Sequence, residues 1–367
     1  ALAIRYLPGT GGHEPSEGFK SGGPVQPIEL FGVAAAAFAT LSLGVVLGPE
    51  APLIAIGSGL GVLAVHLAKR DAPPMAAVVI GAAGSFAAIA TLLGSPLVGA
   101  FLLMEMAGLG GPMMEIVLVP GLLSAGVGSL IFVGLNSLTG FGSFSLTVSS
   151  IPHVGSPTGS EFLWAIVIGL GAAVAATGIF RLASMVRPLV ARSRILLTPV
   201  VGLAVGGLAV AFAAGTGRSS SEVLFSGQTA LPSLVQQAAG WTVGALLLLL
   251  ACKGLAYAIS LSAFRGGPIF PSMFIGAAGG IALSHLGGLP MIAGVAMGVG
   301  AMVAGALKMP MTAVLLPSLL FVSDAVELMP VVIVAVIVSY VVAVWIQPPP
   351  PAEAPAESPA PTPATTG

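Results

Sequence analysis

The side chain with the clearest chemical potential in this sequence is Glu50, a lone carboxylate between Pro49 and Pro52. Around it, residues 47–61 read LGPEAPLIAIGSGLG and are otherwise apolar enough to lie in lipid. A charge in such surroundings costs free energy, so an acid at membrane depth usually has a functional role. A carboxylate there can exchange a proton, and it can compete with a small anion for one electropositive place.

The same pattern returns downstream without the acid. Residues 267–280 read GPIFPSMFIGAAGG, so both copies follow the pattern G-P-x-x-P-x4-G-x3-G. Proline in the first turn of a helix loses no hydrogen bond and fixes the point where the helix begins. Each copy therefore predicts a helix N-terminus, whose unpaired N–H groups and positive dipole end attract anions.

Two helix N-termini aimed at one point would bind an anion without a buried lysine or arginine, and glycines would let the backbone approach the ion closely. Glu50 would compete with the anion and leave when protonated, which makes it a candidate gate. The other interpretation is a first-turn acid that only stabilises its own helix, and the apolar setting favours the gate. The predicted anion-binding residues of the two motifs are Gly48, Pro49, Glu50, Ala51, Gly267, Ile269 and Phe270.

Other polar side chains also fall in or beside apolar segments. Glu105, near the end of a short predicted helix, could lie on a proton path; the slightly favoured interpretation is a structural acid paired with a basic residue. Lys253 and Lys308 could pair with buried acids, raise the local anion concentration along a pore, or extend to an interface. His13 lies in a glycine-rich loop and could donate to an anion.

The composition indicates the medium in which these residues act. Hydrophobic residues make up 56% of the chain and charged residues 7%, and the mean hydropathy is +1.06. A water-soluble protein does not sustain such values, so the chain is predicted to be an all-α, polytopic membrane protein. The net charge of −1 says nothing about a nucleic-acid or acidic partner, because the few charges are scattered along the chain, and no nucleic-acid partner is predicted. The single cysteine, Cys252, excludes an internal disulfide framework and a cysteine-built metal cluster, and no cofactor is predicted.

Roughly ten or more apolar segments long enough, or nearly long enough, to cross a bilayer can be marked between residues 31 and 346. Residues 1–30 predict an irregular loop, either re-entrant or on the surface. The arginines between 181 and 194 are predicted to form a cytoplasmic loop. Residues 347–367, rich in Pro and Ala, predict a disordered tail. The predicted spans are about 31–47, 50–68, 76–93, 96–106, 115–136, 161–183, 196–215, 241–261, 290–306, 311–323 and 328–346.

The segments form two halves of similar plan. A proline break at Pro96 follows the first motif, and a matching break at Pro310 follows the second. Proline-interrupted segments in corresponding positions are typical of internal repeats in transporter folds. The predicted transmembrane domain covers 1–346, with a first repeat at about 1–140 and a second at about 160–346.

These motifs resemble those of the CLC family of chloride channels and chloride/proton antiporters. Residues 48–52, GPEAP, are similar to the family's G-[KR]-E-G-P, and residues 267–271, GPIFP, to its G-x-F-x-P. Residues 8–19 fall where the family has G-S-G-I-P-E, which adds Gly12 and His13 to the expected anion site. The resemblance implies an inverted-repeat fold with broken, tilted helices, a homodimer with one pathway in each subunit, and a gating role for Glu50.

Several positions depart from the family pattern. His13 or bare backbone stands where a serine ligand is usual, Pro268 lacks an N–H that usually faces the ion, and the family's site tyrosine cannot be placed. The family's paired acids read Glu105 and Met106 here, so the proton relay position is apolar. The chain is also expected to lack at least one early helix. No charged segment followed by an apolar one opens the given sequence, so no signal peptide is expected in it.

The sequence therefore predicts passive conduction of chloride or similar small anions through a multi-pass protein of the cell membrane, with Glu50 as the gate. A proton-coupled chloride antiporter of the same fold is the main alternative. An intramembrane enzyme would need a nucleophile–base pair or a metal cluster at membrane depth, and the dispersed histidines do not suggest one. A non-conducting or truncated relative is the third alternative.

Overall fold

The computed structural model describes residues 1–17, 23–69, 71–108, 112–140, 146–148 and 153–347. Within these ranges the chain forms fourteen α-helices and a few short 3-10 turns, with no β-sheet. The helices are α1 Leu2–Tyr6, α2 Leu30–Ser42, α3 Glu50–Ala68, α4 Pro74–Leu93, α5 Pro96–Ala107, α6 Pro112–Thr139, α7 Gly159–Arg192, α8 Arg194–Thr216, α9 Ala230–Gln236, α10 Val243–Ala263, α11 Ile269–Ser284, α12 Met291–Leu307, α13 Pro310–Leu320 and α14 Ala325–Ile346.

Seven of the described helices, α3, α4, α6, α7, α8, α10 and α14, are long and apolar enough to cross a membrane. Five shorter apolar helices lie among them: α2, α5, α11, α12 and α13. Such broken helices are tolerated inside a bilayer only where the surrounding protein satisfies their free backbone groups. The prediction of an all-α, polytopic membrane fold with broken helices is confirmed.

The two proline breaks have the predicted local structure. After α4 the chain turns through Gly94 in the left-handed region, and Ser95 accepts a hydrogen bond from the Val98 N–H at the start of α5. After α12 the turn residue is Lys308, with a φ of 60°, and Pro310 opens α13. Proline in the first turn and a left-handed residue after the last turn are the expected stop and start signals.

Close glycine contacts join α3 to α4 and, in the same way, α11 to α12. A methyl group on Gly57 would overlap the carbonyl of Gly84, and the reverse also holds. Gly276 and Gly298 stand in the same relation. Helices in membranes pack closely where such small residues meet, so both motif helices are held tightly against their next neighbour in the chain.

The helices that follow each motif form two matching series. In the first series α4 packs on α5 and α6, and in the second series α12 packs on α13 and α14. The two series touch where α5 meets α13. Helix α7 lies along α12 and α14. The limits of the two repeats, about 1–140 and 160–346, stay a prediction.

Two predicted boundaries were wrong. The span predicted at 31–47 is helical only over Leu30–Ser42, and the residues from there to the Glu50 motif are not helical. The arginine-rich segment is not a loop, because α7 continues to Arg192 and α8 begins at Arg194. Arg, Leu, Ala and Met are good helix formers, and Pro188 lies inside the helix without ending it. The predicted disordered tail lies outside the described residues beyond 347.

Candidate functional site

The first residues of the two motifs lie side by side. The Gly48 N–H donates to the Gly267 carbonyl at 2.7 Å, and the Gly267 N–H donates to the Gly48 carbonyl at 2.6 Å. This reciprocal pair brings the N-termini of α3 and α11 to one place, as the two motifs predict. Pro49 and Pro268 follow as the N-cap residues of the two helices.

Glu50 crosses from its own helix to the other. Its side chain is fully buried, and its Oε1 accepts a hydrogen bond of 2.7 Å from the N–H of Phe270, the second residue of α11. Among the described residues Oε2 has no hydrogen-bond partner. The carboxylate of the first motif thus occupies the positive end of the helix that the second motif begins, where a small anion would also be stabilised.

The two glycines make room for this carboxylate. A methyl group added at Gly267 would overlap Glu50 Oε2, and one added at Gly48 would overlap the same atom. Neither glycine has a positive φ. The two positions therefore need glycine for space rather than for backbone conformation.

Helices α10 and α11 supply polar groups that the sequence did not predict. The Tyr257 hydroxyl donates to the Pro268 carbonyl at 2.9 Å, and the Ser272 hydroxyl donates to the same carbonyl at 2.8 Å. Ser260 accepts from the Val46 N–H at 3.4 Å, on the segment that leads to Glu50. The signal for Tyr257 and Ser260 was their spacing on α10, since side chains three or four residues apart on a helix share a face.

The glycine-rich loop around Gly12 packs on α2 and borders a cavity. Gly9, Gly11 and Gly12 have φ values of 77°, 73° and 93°, a region that side chains other than glycine rarely adopt. The cavity has a volume of about 520 Å³ and reaches from this loop to the first turn of α3 and the end of α5. Its lining includes Gly12, His13, Ala51, Ser58, Ser85 and Met106.

A cluster of ion pairs just beyond the C-terminal end of α10 holds the same loop. Glu14 Oε1 lies 2.7 Å from Arg265 and 3.1 Å from Arg194, and its Oε2 lies 2.6 Å from Arg187. Burial alone would raise the pKa of Glu14, but the charges and hydrogen bonds of the arginines lower that pKa to about 2. Arg265 also donates to the Thr10 carbonyl at 3.2 Å. The cluster therefore stays ionised at neutral pH and fixes the loop.

Glu105 has a different set of partners from the one favoured by the sequence. Its Oε1 accepts from the Met311 N–H, and its Oε2 accepts from the N–H and the hydroxyl of Thr312, all at 2.7 Å. The prediction of a basic partner was wrong, because the free amides at the start of α13 take the carboxylate instead. Glu105 at the end of α5 thus caps α13.

We expect Glu105→Ala to lower the free energy of unfolding by about 1–2 kcal/mol, the usual cost of a lost helix cap. Glu105→Gln keeps one acceptor oxygen and should lose less. Thermal unfolding in detergent micelles measures both, and anion flux per folded molecule should stay at the wild-type level. A changed flux with an unchanged unfolding temperature would instead assign Glu105 to a proton path.

The two lysines bind backbone carbonyls. Lys253 is buried and donates to carbonyls of residues 222–225, and Lys308 donates to the Gln347 carbonyl at 2.7 Å. Among the described residues neither lysine forms a direct ion pair with an acid, although the Glu222 carboxylate interacts electrostatically with Lys253. Among the described residues no group of three or more His, Cys, Asp and Glu side chains comes together as a metal site.

Comparison with known proteins gives concordant matches. Residues 4–344 match the family described as voltage gated chloride channel. YfeO of Salmonella schwarzengrund, whose name describes an ion-transport protein, is 32% identical over 299 residues, covering 79% of this chain and 67% of that protein. The chain thus spans about two thirds of the length of such relatives.

Solved structures share the fold at lower identity. A slow cyanobacterial Cl⁻/H⁺ antiporter superposes with a TM-score of 0.72 at 21% identity, over 94% of this chain and 80% of that one. A CLC-type fluoride/proton antiporter gives a TM-score of 0.64 at 21% identity, over 84% and 74% of the two chains. At this identity the likeness concerns the fold alone.

Proposed function

The chain belongs to the voltage-gated chloride channel family, and from this premise we propose that it conducts chloride or similar small anions passively, with Glu50 as the gate. The family moves anions across membranes, and the apolar helices make this a multi-pass membrane protein. For this chain we propose passive conduction, the gating role of Glu50 and the set of site residues. We also propose that it lies in the cell membrane as a homodimer with one pathway in each subunit.

One observation carries the proposed gate. Glu50 Oε1 accepts the Phe270 N–H at 2.7 Å, at the positive end of α11. A chloride ion would use the same amide and the same dipole, so carboxylate and anion exclude each other. We call this position of the carboxylate, on the Phe270 amide at the start of α11, the seat of Glu50. Protonation removes the charge that holds the side chain in the seat. The neutral side chain can then leave, and an anion can take its place.

The proposed anion cradle combines both motifs and the first loop. The amides near Glu50–Ala51 and Ile269–Phe270 supply donors, and the glycines leave the space that a carboxylate or an anion needs. Gly12 and His13 border the cavity that reaches Ala51, so they lie on an approach to the site. The full proposed set is Gly48, Pro49, Glu50, Ala51, Gly267, Ile269, Phe270, Gly12 and His13.

The surroundings of Glu105 support passive conduction over proton coupling. Three donors occupy both carboxylate oxygens of Glu105. The next residue, Met106, has no ionisable group and lines the cavity that leads toward Ala51. The titratable side chains on the lining of this cavity are His13 and Glu29, and neither of them stands at the position of Met106.

A flux experiment in liposomes separates the two modes of transport. With an outward chloride gradient and a proton-sensitive dye inside, we expect chloride efflux without sustained uphill proton movement. Liposomes without protein give the leak rate. Steady proton pumping driven by the chloride gradient would overturn passive conduction and assign the chain to the antiporters.

A further inference from the structure

A buried ammonium group lies halfway along α10. Lys253 is 1% exposed, and its Nζ lies 2.8 Å from the carbonyl oxygen of Glu222, 3.1 Å from that of Val223, 3.2 Å from that of Leu224 and 3.3 Å from that of Phe225. Four consecutive carbonyls thus converge on one cation. An ammonium has three protons to share among these carbonyls, so the charged form suits this arrangement better than a neutral amine, which has two.

The turn at 222–225 and the lysine depend on each other. The turn leads out of the 3-10 segment Ser220–Glu222 and packs against the middle of a membrane-spanning helix, so its carbonyls must be satisfied inside the protein. A buried charge is costly unless it is paired or solvated by polar groups. The carbonyls supply that solvation, and the Phe274 ring, 4.3 Å from Nζ, adds a cation–π contact.

The turn is tied directly to the segment that carries Glu50. The Phe225 N–H donates to the Gly44 carbonyl at 3.0 Å, and Leu224 lies against Gly44. Four residues later Gly48 pairs with Gly267, and Glu50 begins α3. Fixing residues 222–225 therefore fixes the start of the segment from Gly44 to Glu50.

The other half of the seat is reached through α11. Phe274 contacts the lysine and lies one helical turn beyond Phe270, whose N–H holds the Glu50 carboxylate. Tyr257, one turn after Lys253 on α10, donates to the Pro268 carbonyl at the start of the same helix. One face of α10 thus touches both backbone segments that form the seat of Glu50.

We propose that Lys253 is a positioning residue for the gate, which acts through the turn 222–225 and Phe274 to keep the Glu50 carboxylate on the Phe270 amide. This inference rests on the proposed gating role of Glu50. Without the ammonium, four carbonyls lose their shared donor, the turn shifts, and the seat no longer holds the carboxylate in place. The closed state is weakened, while the pathway itself remains.

A double-mutant cycle tests this role. We expect Lys253→Met to raise chloride flux at neutral pH by at least about threefold when Glu50 is present, and to leave flux unchanged in the Glu50→Gln background. A lysine that only supports the fold would change flux by the same factor in both backgrounds. An equal factor in both, or no change in either, overturns the inference.

Several controls make the cycle decisive. Lys308→Met removes another lysine that donates to a single carbonyl at the end of α14, and it should show no dependence on Glu50. If Lys253→Met is not monodisperse in detergent, Lys253→Gln replaces it, with the same two outcomes. Lys253→Arg keeps the charge and should restore the low flux of the wild type. Glu50→Gln alone tests the gate, so failure of the gate is distinguishable from failure of this inference.

Discussion

Chloride flux through Glu50→Gln is expected to exceed wild-type flux about tenfold at neutral pH, since a bond to a charged acceptor is stronger than one to a neutral amide by about 1–1.5 kcal/mol. In the wild type, flux should rise as pH falls, because protonation removes the charge that the Phe270 amide and α11 hold in place. Glutamine cannot ionise, so flux through the variant should be nearly independent of pH. Chloride efflux from liposomes, measured at several pH values, gives both quantities.

Glu161→Gln is the matched control for this substitution. Glu161 lies in the first turn of α7, where its Oε1 accepts from the N–H and the hydroxyl of Thr158, so it is a buried acid with a local role. Its replacement should leave flux and pH dependence at wild-type values. A Glu50→Gln protein with wild-type flux and wild-type pH response would remove Glu50 from the gate.

Gly267→Ala should open the pathway although the acid is still present. The added methyl group would overlap Glu50 Oε2, so the carboxylate cannot remain in its seat. The backbone of Gly267 has no positive φ, and alanine can keep both hydrogen bonds to Gly48. We expect flux to approach that of Glu50→Gln, about tenfold above wild type if the seat is lost, in the same liposome assay.

The specificity of this effect can be checked in two ways. In a Glu50→Gly background neither the carboxylate nor the Cβ, which would lie 2.9 Å from the added methyl group, is left to displace, so Gly267→Ala should add nothing to flux. Gly207→Ala in α8 is a neutral control, because a methyl group there meets no atom within 4 Å. Lower flux from Gly267→Ala in both backgrounds would mean that the methyl group blocks the pathway and that the seat is not the gate.

The sequence predicted the helix starts well because their signals are local. Proline at positions 49, 96, 268 and 310 fixes where a helix can begin, and the structure has helices starting at or directly after these residues. The end of α7 was missed for the opposite reason. In an apolar chain a cluster of charged residues resembles a loop between two spans. Arginine and leucine are nevertheless good helix formers, so a helix can continue through such a cluster.

The site was predictable only in part. Two anion-attracting helix N-termini could be read from the repeated motif, but the reciprocal pairing of Gly48 with Gly267 depends on chain segments far apart in sequence. The partners of Lys253 are backbone carbonyls, and those of Glu105 are two backbone amides and the Thr312 hydroxyl. Backbone carbonyls are present at every residue, and backbone N–H groups at every residue except proline. No side-chain pattern could have identified them, so the sequence suggested oppositely charged side chains instead.

The pairing of Gly48 with Gly267 also limits how the two helix series can move. Rocking of one series against the other would separate these buried residues and leave two N–H groups and two carbonyls without their partners. Each such group costs about 1–3 kcal/mol, so a rocked state would be rarely populated. Under the proposed gating by Glu50, anion passage would then need one side-chain rotation within a stationary scaffold, on the timescale of rotamer exchange rather than of domain motion.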